Sequence, residues 1–158
     1  PLRRTLRVDK MTVAVLAAVL AIYSDPARLA ERLPVLKYLT RPLAEIRAIG
    51  EQLRTPLATA LDGVAAVSVS DCESQIGSGA LPTRTIASAG IAIHARTRRR
   101  RGGPVQEIAA AFRRLPVPVI GRIQDDTFIL DVRCLDDESA FLSHLSHLDR
   151  RQDDVTAR

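Results

Sequence analysis

The chain has 158 residues, of which 46% are hydrophobic and 26% are charged, as in a folded globular protein. Aromatic residues make up only 3% and tryptophan is absent, which argues against a nucleic-acid surface built on base stacking. The formal charge of +5 permits a polyanionic partner, although genome composition alone can also produce an excess of arginine over lysine. Cys72 and Cys134 lie far apart and form no metal-binding or disulfide pattern, so we expect a reducing compartment.

The first predicted helix covers residues 11–22, with Asp9 as its N-cap. Its side chains are apolar on every face, and such a helix must be buried against more protein than the few residues before it supply. The run is too short to span a bilayer and lacks small residues at a cleavage position, so we expect neither a membrane span nor a signal peptide.

A short second helix is predicted to begin at Pro26, with Asp25 as its N-cap, and to end at Pro34. A third helix opens at Pro42 and is amphipathic, with Leu53 among the apolar residues of its buried side. We expect Pro56 to kink or restart it and the helix to connect two bodies of protein.

After Gly63 the pattern alternates, which predicts strands near residues 67–70 and 88–93. The glycine-containing segment between them either lets the backbone approach a ligand closely or serves as a flexible connection. The arginine-rich run from Arg96 to Arg101 is typical of a solvated loop, with contact to RNA phosphates as the alternative.

A further helix is predicted from Pro104, followed by a hairpin of residues 117–123 and 128–133 with Phe128 on the core face. Asp136 or Asp137 caps a last helix. The order of elements predicts an α+β fold in which helices pack on a mainly antiparallel sheet. We divide the chain into three parts, which are a helical segment 1–62, a small α+β domain 63–148 and a polar tail 149–158.

Arg4 and Arg7 are the strongest candidate site residues. They stand three positions apart, so in a helix or tight turn their guanidinium groups share a face and can bind one anion with forked hydrogen bonds. The alternative is a cationic approach to the first helix, paired with acidic neighbours. The three histidines and the carboxylates form no catalytic or metal-binding pattern.

Three stretches, RRTLRVDKMT, CESQIGSGALP and LPVPVIGRIQDDTFILDVRCLDD, resemble in the same order the bacterial L-seryl-tRNA(Sec) selenium transferase family. The resemblance covers nearly all of residues 1–148. It implies the end of the large domain and the small domain of a fold-type I pyridoxal-phosphate enzyme. It also implies a cytoplasmic protein without membrane contact that converts L-seryl-tRNA(Sec) and selenophosphate to L-selenocysteinyl-tRNA(Sec).

The same resemblance assigns selenophosphate binding to Arg4 and Arg7. It also suggests the following substrate-binding residues in the glycine-containing segment: Gln75, Gly77, Ser78 and Gly79. The lysine that forms the Schiff base with the cofactor is expected upstream of Pro1, so Lys10 is not assigned that role. We therefore expect pyridoxal 5′-phosphate in the full-length enzyme and neither cofactor nor activity on this fragment. The family further implies a homo-oligomer, in the form of a decameric ring.

A rival hypothesis is a free-standing basic α+β module that binds RNA or a protein partner without catalysis. It accounts for the charge and for the lack of a catalytic set. It leaves unexplained why a helix that is apolar all round stands near the start of the chain.

Overall fold

The described residues, 7–75, 85–96 and 103–148, form two compact units in this computed structural model, with the division between Arg41 and Pro42. The first unit is helical. Its elements are α1 (Lys10–Tyr23), a 3-10 turn (Pro26–Arg28), α2 (Leu29–Arg32) and α3 (Pro34–Thr40).

Helix α1 begins where the sequence predicts, because Asp9 caps it. The Asp9 carboxylate accepts hydrogen bonds from the backbone N–H groups of Met11 at 2.8 Å and Thr12 at 2.9 Å. No residue of α1 is buried. Its exposed large apolar side chains are Met11, Val13, Val15, Leu16, Leu20 and Tyr23. The described residues therefore do not supply the burial that an all-round apolar helix requires.

The short helices that follow differ from the prediction in two respects. The Asp25 side chain makes no capping hydrogen bond. Pro26 begins a 3-10 turn instead, in which the Asp25 carbonyl accepts from the Arg28 N–H at 3.2 Å. Pro34 also begins α3 rather than only ending α2, because proline suits the first position of a helix.

Within the described ranges, no single helix is long and apolar enough to cross a membrane. Only the strongly bent pair Lys10–Tyr23 and Pro26–Arg32 passes that test together.

The second unit contains the sheet. Its elements are α4 (Leu43–Ala60), β1 (Ala65–Gln75), β2 (Thr85–Ala95), α5 (Pro104–Arg113), β3 (Arg122–Gln124), β4 (Thr127–Asp131), α6 (Glu138–His144) and a 3-10 turn (Leu145–His147). The four strands are antiparallel in the order β1-β2-β4-β3. This arrangement confirms the predicted α+β fold.

The core lies between one face of this sheet and helices α4 and α5. In one row across the sheet Val67 pairs with Ile93, which pairs with Phe128. The neighbouring row contains Val69, Ile91 and Leu130. The Phe112 ring of α5 lies 5.5 Å from the Phe128 ring, centroid to centroid. Alternation in the strands therefore places the apolar set on the helix-covered face, as predicted.

Helix α4 is part of this core and not a connector. It runs through Pro56 without interruption, and its Ile46 and Leu57 side chains are fully buried. Gly50 lets it approach the sheet, because a Cβ at that position would lie 3.2 Å from Val69 Cγ1. For these reasons α4 belongs to the second unit, whereas we expected the boundary after residue 62.

The hairpin and the last helix follow the prediction in outline. Asp125 and Asp126 have φ values of 48° and 55°, which is the conformation of a two-residue type I′ turn. Strand β3 begins only at Arg122, since Pro118 has no N–H to donate to a ladder. Asp137 caps α6 by accepting from Ala140 N–H at 2.8 Å.

Gly90→Ala should destabilise the second unit. Gly90 pairs with Asp131 of β4, and a Cβ there would collide with the Leu130 carbonyl oxygen. Such overpacking costs about 1–3 kcal/mol. Urea denaturation followed by circular dichroism measures the change. Ser68→Ala, at an exposed position of the same sheet face, is the control and should stay within about 0.5 kcal/mol. Equal midpoints for wild type and Gly90→Ala would contradict this packing.

Acid should weaken the attachment of α4 to β1. Arg47 Nε and Nη2 donate to the Asp71 carboxylate at 2.9 and 2.6 Å, and this contact lowers the pKa of Asp71 from its usual 3.8. A carboxyl with a lowered folded-state pKa stabilises the fold above its unfolded value and loses that stabilisation as pH falls. Stability measured by urea titration should therefore decline below about pH 4.

Asp71→Asn should flatten that decline. The matched control is Glu51→Gln, which removes a carboxylate that pairs with Arg54 on the same helix and does not join two elements. If Asp71→Asn leaves the acid slope unchanged, the ion pair does not contribute to stability.

Candidate functional site

The face of the sheet opposite the helices is polar. Its side chains alternate with those of the core and come from all four strands: Ser68, Ser70, Cys72, Ser74, Ser88, His94, Arg122, Gln124, Thr127 and Asp131. A shallow cavity of about 660 Å³ lies over much of this surface. We call this surface the open face.

Asp131 is the centre of a hydrogen-bond network on the open face. Its Oδ1 accepts from Ser88 Oγ at 2.7 Å and from the backbone N–H of Arg133 at 3.1 Å. Its Oδ2 accepts from Ser74 Oγ. Ser88 is only 1% exposed. The carboxylate therefore joins β1, β2 and the end of β4 through part-buried hydrogen bonds, which a partly water-excluded setting strengthens.

Arg122 extends over the same region from β3. Its Nη1 lies 3.9 Å from Asp131 Oδ2, and its side chain is 39% exposed. Cys72 lies nearby. Burial raises the pKa of the Cys72 thiol, the charge of Asp131 raises it further, and Arg122 partly offsets both. The thiol is therefore protonated at neutral pH and is not an activated nucleophile.

The histidines of the second unit lie at two separate places. Thr127 Oγ1 and His94 Nδ1 lie 3.1 Å apart at an exposed site. The His144 and His147 rings lie near the end of the last helix, with centroids 6.3 Å apart and planes tilted by 48°. Among the described residues, no group of three or more histidine, cysteine, aspartate or glutamate side chains has metal-binding geometry.

Only two of the sequence-predicted site residues, Arg7 and Gln75, are among the described residues, and they belong to different structural units. Arg7 is exposed and stands two residues before the Asp9 cap. Gln75 is exposed at the end of β1 and lines the cavity of the open face. The other predicted site residues lie outside the described residues: Arg4, Gly77, Ser78 and Gly79. The predicted pairing of Arg4 with Arg7 thus stays a prediction.

The chain's two lysines are both exposed in the structure. Lys10 is exposed on the first turn of α1. Lys37 is also exposed, and its Nζ lies 5.8 Å from the centre of the Tyr38 ring. The expectation that the Schiff-base lysine lies upstream of Pro1 stays a prediction.

Sequence reasoning missed the network of Asp131, Ser74 and Ser88. Asp131 lies 57 positions from Ser74 and 43 from Ser88, so only the strand register brings the three together. One signal was available, because Asp131 ends an alternating strand at a position that faces away from the core.

Comparison with known proteins identifies the family. The family model described as "SelA: L-seryl-tRNA selenium transferase" matches residues 1–136. Three curated relatives carry the name L-seryl-tRNA(Sec) selenium transferase. The Methylocella silvestris protein is 49% identical over 149 residues, or 94% of this chain. The Rhizobium meliloti and Klebsiella pneumoniae proteins are each 48% identical over 92% of it.

The chain spans 31% of the length of each of these relatives. The match nevertheless extends through both structural units, from the segment around Arg7 to the end of the sheet. Because the family model covers most of the chain and the identity is close to one residue in two, the chain belongs to the L-seryl-tRNA selenium transferase family.

Proposed function

We propose that this chain is the C-terminal part of a transferase that converts L-seryl-tRNA(Sec) and selenophosphate to L-selenocysteinyl-tRNA(Sec). The observation that supports this most strongly is the family match over residues 1–136, together with relatives named L-seryl-tRNA(Sec) selenium transferase. In a protein of the relatives' length, pyridoxal 5′-phosphate would supply the chemistry that labilises the serine hydroxyl. The lysine that holds it would come from outside the described residues.

Within that reaction we assign Arg4 and Arg7 to binding of the anionic selenium donor. Arg7 is exposed, as a ligand-binding side chain must be. The amino end of α1 is not itself available to the anion, because the Asp9 carboxylate already accepts from Met11 and Thr12 N–H. An anion here must therefore be bound by guanidinium groups, which match its oxygen atoms in a forked geometry.

The architecture supports a more detailed assignment. We propose that the second unit, with helix α4 added to residues 63–148, is the small domain of a fold-type I enzyme. We also propose that the exposed apolar surface of α1 packs in the large domain of such an enzyme. Burying one exposed valine or leucine contributes about 1.5–3 kcal/mol, which gives that packing a strong driving force. By family resemblance, the complete protein acts in the cytoplasm as a decameric homo-oligomer.

The test uses the transferase that contains this chain, with Arg4→Ala and Arg7→Ala made separately. Each change should raise the KM for selenophosphate about ten- to a hundredfold, because a hydrogen bond to a charged group is worth about 1.5–3 kcal/mol. The KM for seryl-tRNA(Sec) should stay near the wild-type value. Steady-state kinetics with each substrate varied in turn gives both numbers.

Arg28→Ala is the matched control, since Arg28 is an exposed arginine of the same unit that pairs with Glu31 at 3.4 Å. It removes the same charge and should leave the selenophosphate dependence unchanged. If neither Arg4→Ala nor Arg7→Ala alters that dependence, these arginines only approach the helix and do not bind the donor.

A further inference from the structure

One end of the β1–β2 pair extends beyond the rest of the sheet. The ladder between β2 and β4 ends at the pair of Gly90 and Asp131, whereas β1 and β2 continue to pair for five more residues. In the described part of the sheet, residues 71–75 and 85–89 therefore form a two-stranded arm beyond the end of the β4 ladder. We call these two ranges the arm.

Little apolar packing holds the arm. Ala89 at its base is fully buried, and Ser88 is also buried, but the other arm residues are exposed or only partly buried. On the core side of β1, the residues that follow Val69 are Asp71 and Glu73. A two-stranded hairpin without a covered apolar face is marginally stable by itself. The position of the arm therefore depends on its polar attachments.

Asp131 attaches the arm to β4. Its Oδ2 accepts from Ser74 Oγ near the outer end of the arm, and its Oδ1 accepts from Ser88 Oγ at 2.7 Å. Ser74 belongs to β1, which β2 separates from β4 in the sheet. The carboxylate thus reaches across a neighbouring strand. Gly90, its partner on that strand, leaves the space free because it has no side chain.

The Asp131 carboxylate is itself fixed at the end of β4. Its Oδ1 also accepts from the backbone N–H of Arg133 at 3.1 Å. The Arg133 side chain is buried, and its Nη2 donates to the Ala87 carbonyl of the arm. The bond from Ser74 therefore ends on a carboxylate that cannot move independently of β4.

Two other contacts hold the inner half of the arm. Arg47 of α4 binds the Asp71 carboxylate, and Arg122 of β3 hydrogen-bonds to the Cys72 thiol. Ser74 lies further out along β1 than both contacts. Its bond to Asp131 is thus the attachment placed to control the outer end.

We infer that Asp131 is a positioning residue for the substrate-binding residue Gln75. Gln75 directly follows Ser74 and forms the outermost described pair of the arm, so the bond between Ser74 and Asp131 fixes the backbone beside it. A side chain that is held in place before the substrate arrives loses less freedom on binding. The inference rests on the proposed function and on the assignment of Gln75 to substrate binding by family resemblance.

NMR relaxation on the 158-residue chain tests the attachment. Asp131→Asn replaces one accepting oxygen by an amide nitrogen that only donates, so Ser74 and Ser88 can no longer both be bound as before. The backbone order parameters of Ser74 and Gln75 should fall from about 0.85, the value of a rigid backbone, toward about 0.6. Those of Ile91 should not change.

Ser74→Ala is the second variant, because it removes the same bond from the arm side and leaves β4 intact. It should produce the same loss of order at Gln75. Unchanged order parameters in both variants would overturn the inference. An equal fall throughout the sheet would also overturn it, because Asp131 would then stabilise the fold in general and not position the arm.

Asp126→Asn is the matched control. It removes the same charge from the turn before β4, where asparagine tolerates the φ of 55°. It should change neither the order parameters nor the kinetics. Circular dichroism checks that every variant is folded.

Steady-state kinetics of the transferase that contains this chain test the consequence for substrate binding. Gln75→Ala should raise the KM for the substrate that Gln75 contacts. Asp131→Asn and Ser74→Ala should raise the KM for the same substrate about two- to tenfold, the effect of having to order one side chain on binding. The value of kcat should stay near that of the wild type, because the lost interaction affects binding and not the chemical step.

The kinetics separate this inference from the proposed function. If the wild-type enzyme is active and the KM values do not respond to Asp131→Asn or Ser74→Ala, the inference is wrong and the function stands. A fall in kcat without the rise in KM also contradicts the inference, because a destabilised enzyme loses active molecules and not affinity. A wild-type enzyme without activity on seryl-tRNA(Sec) and selenophosphate would contradict the function and the role of Gln75 with it.

Discussion

The two unlike faces of the sheet determine the structure of the second unit. Side chains at alternate positions of β1, β2 and β4 pack under α4 and α5, where Ile91 and Phe128 are buried and Val67 is partly buried. The intervening positions carry the hydroxyl, carboxylate and guanidinium groups of the open face. A register shift of one residue would exchange the two sets and place serine against the helices. Fold and candidate site therefore depend on the same alternation.

Helix α1 of the first unit has no such division into an apolar face and a polar face. Helix α1 has apolar residues at nearly every position and none that is buried. Helix α4 has the opposite character, with a narrow apolar stripe that includes Leu53 and is covered by the sheet. An amphipathic stripe can be satisfied by a single layer of protein, whereas an all-round apolar helix needs protein on every side. This contrast agrees with relatives that are about three times longer than the chain.

Local patterns predicted the elements better than they predicted their assembly. The Asp9 cap, the apolar stripe of α5 and the core side of β4 follow from rules that span a few residues. Three features failed to follow from such rules. Helix α3 was missed because Pro34 was interpreted only as a stop. Pro56 was expected to interrupt α4, but the packing of Leu53 and Leu57 on either side of it outweighs the local preference. The division between the two parts was placed after α4 and not before it, because the sequence of a helix does not show that it packs against a sheet.

The candidate site residues also fall into two groups, those that a local sequence pattern indicates and those that only the fold brings together. Arg4 and Arg7 were assigned from the sequence because they are neighbours in the chain and match a family motif, and that assignment stays a prediction. The sequence did not predict Ser74, Ser88 and Asp131 as a group, because only the strand register brings these three side chains into contact. Arg122 was not singled out either, since an isolated arginine on a short strand is ordinary.

The central claim is that residues 42–148 make a self-sufficient fold, while α1 depends on protein beyond the described residues. Hydrogen exchange on the purified monomeric chain tests it directly, because exchange measures local opening free energy residue by residue. The amides of Leu53, Ile91 and Ile93 should exchange slowly, at rates set by global unfolding, and those of α1 should exchange rapidly. Slow exchange throughout residues 11–22 in a demonstrated monomer would contradict the account.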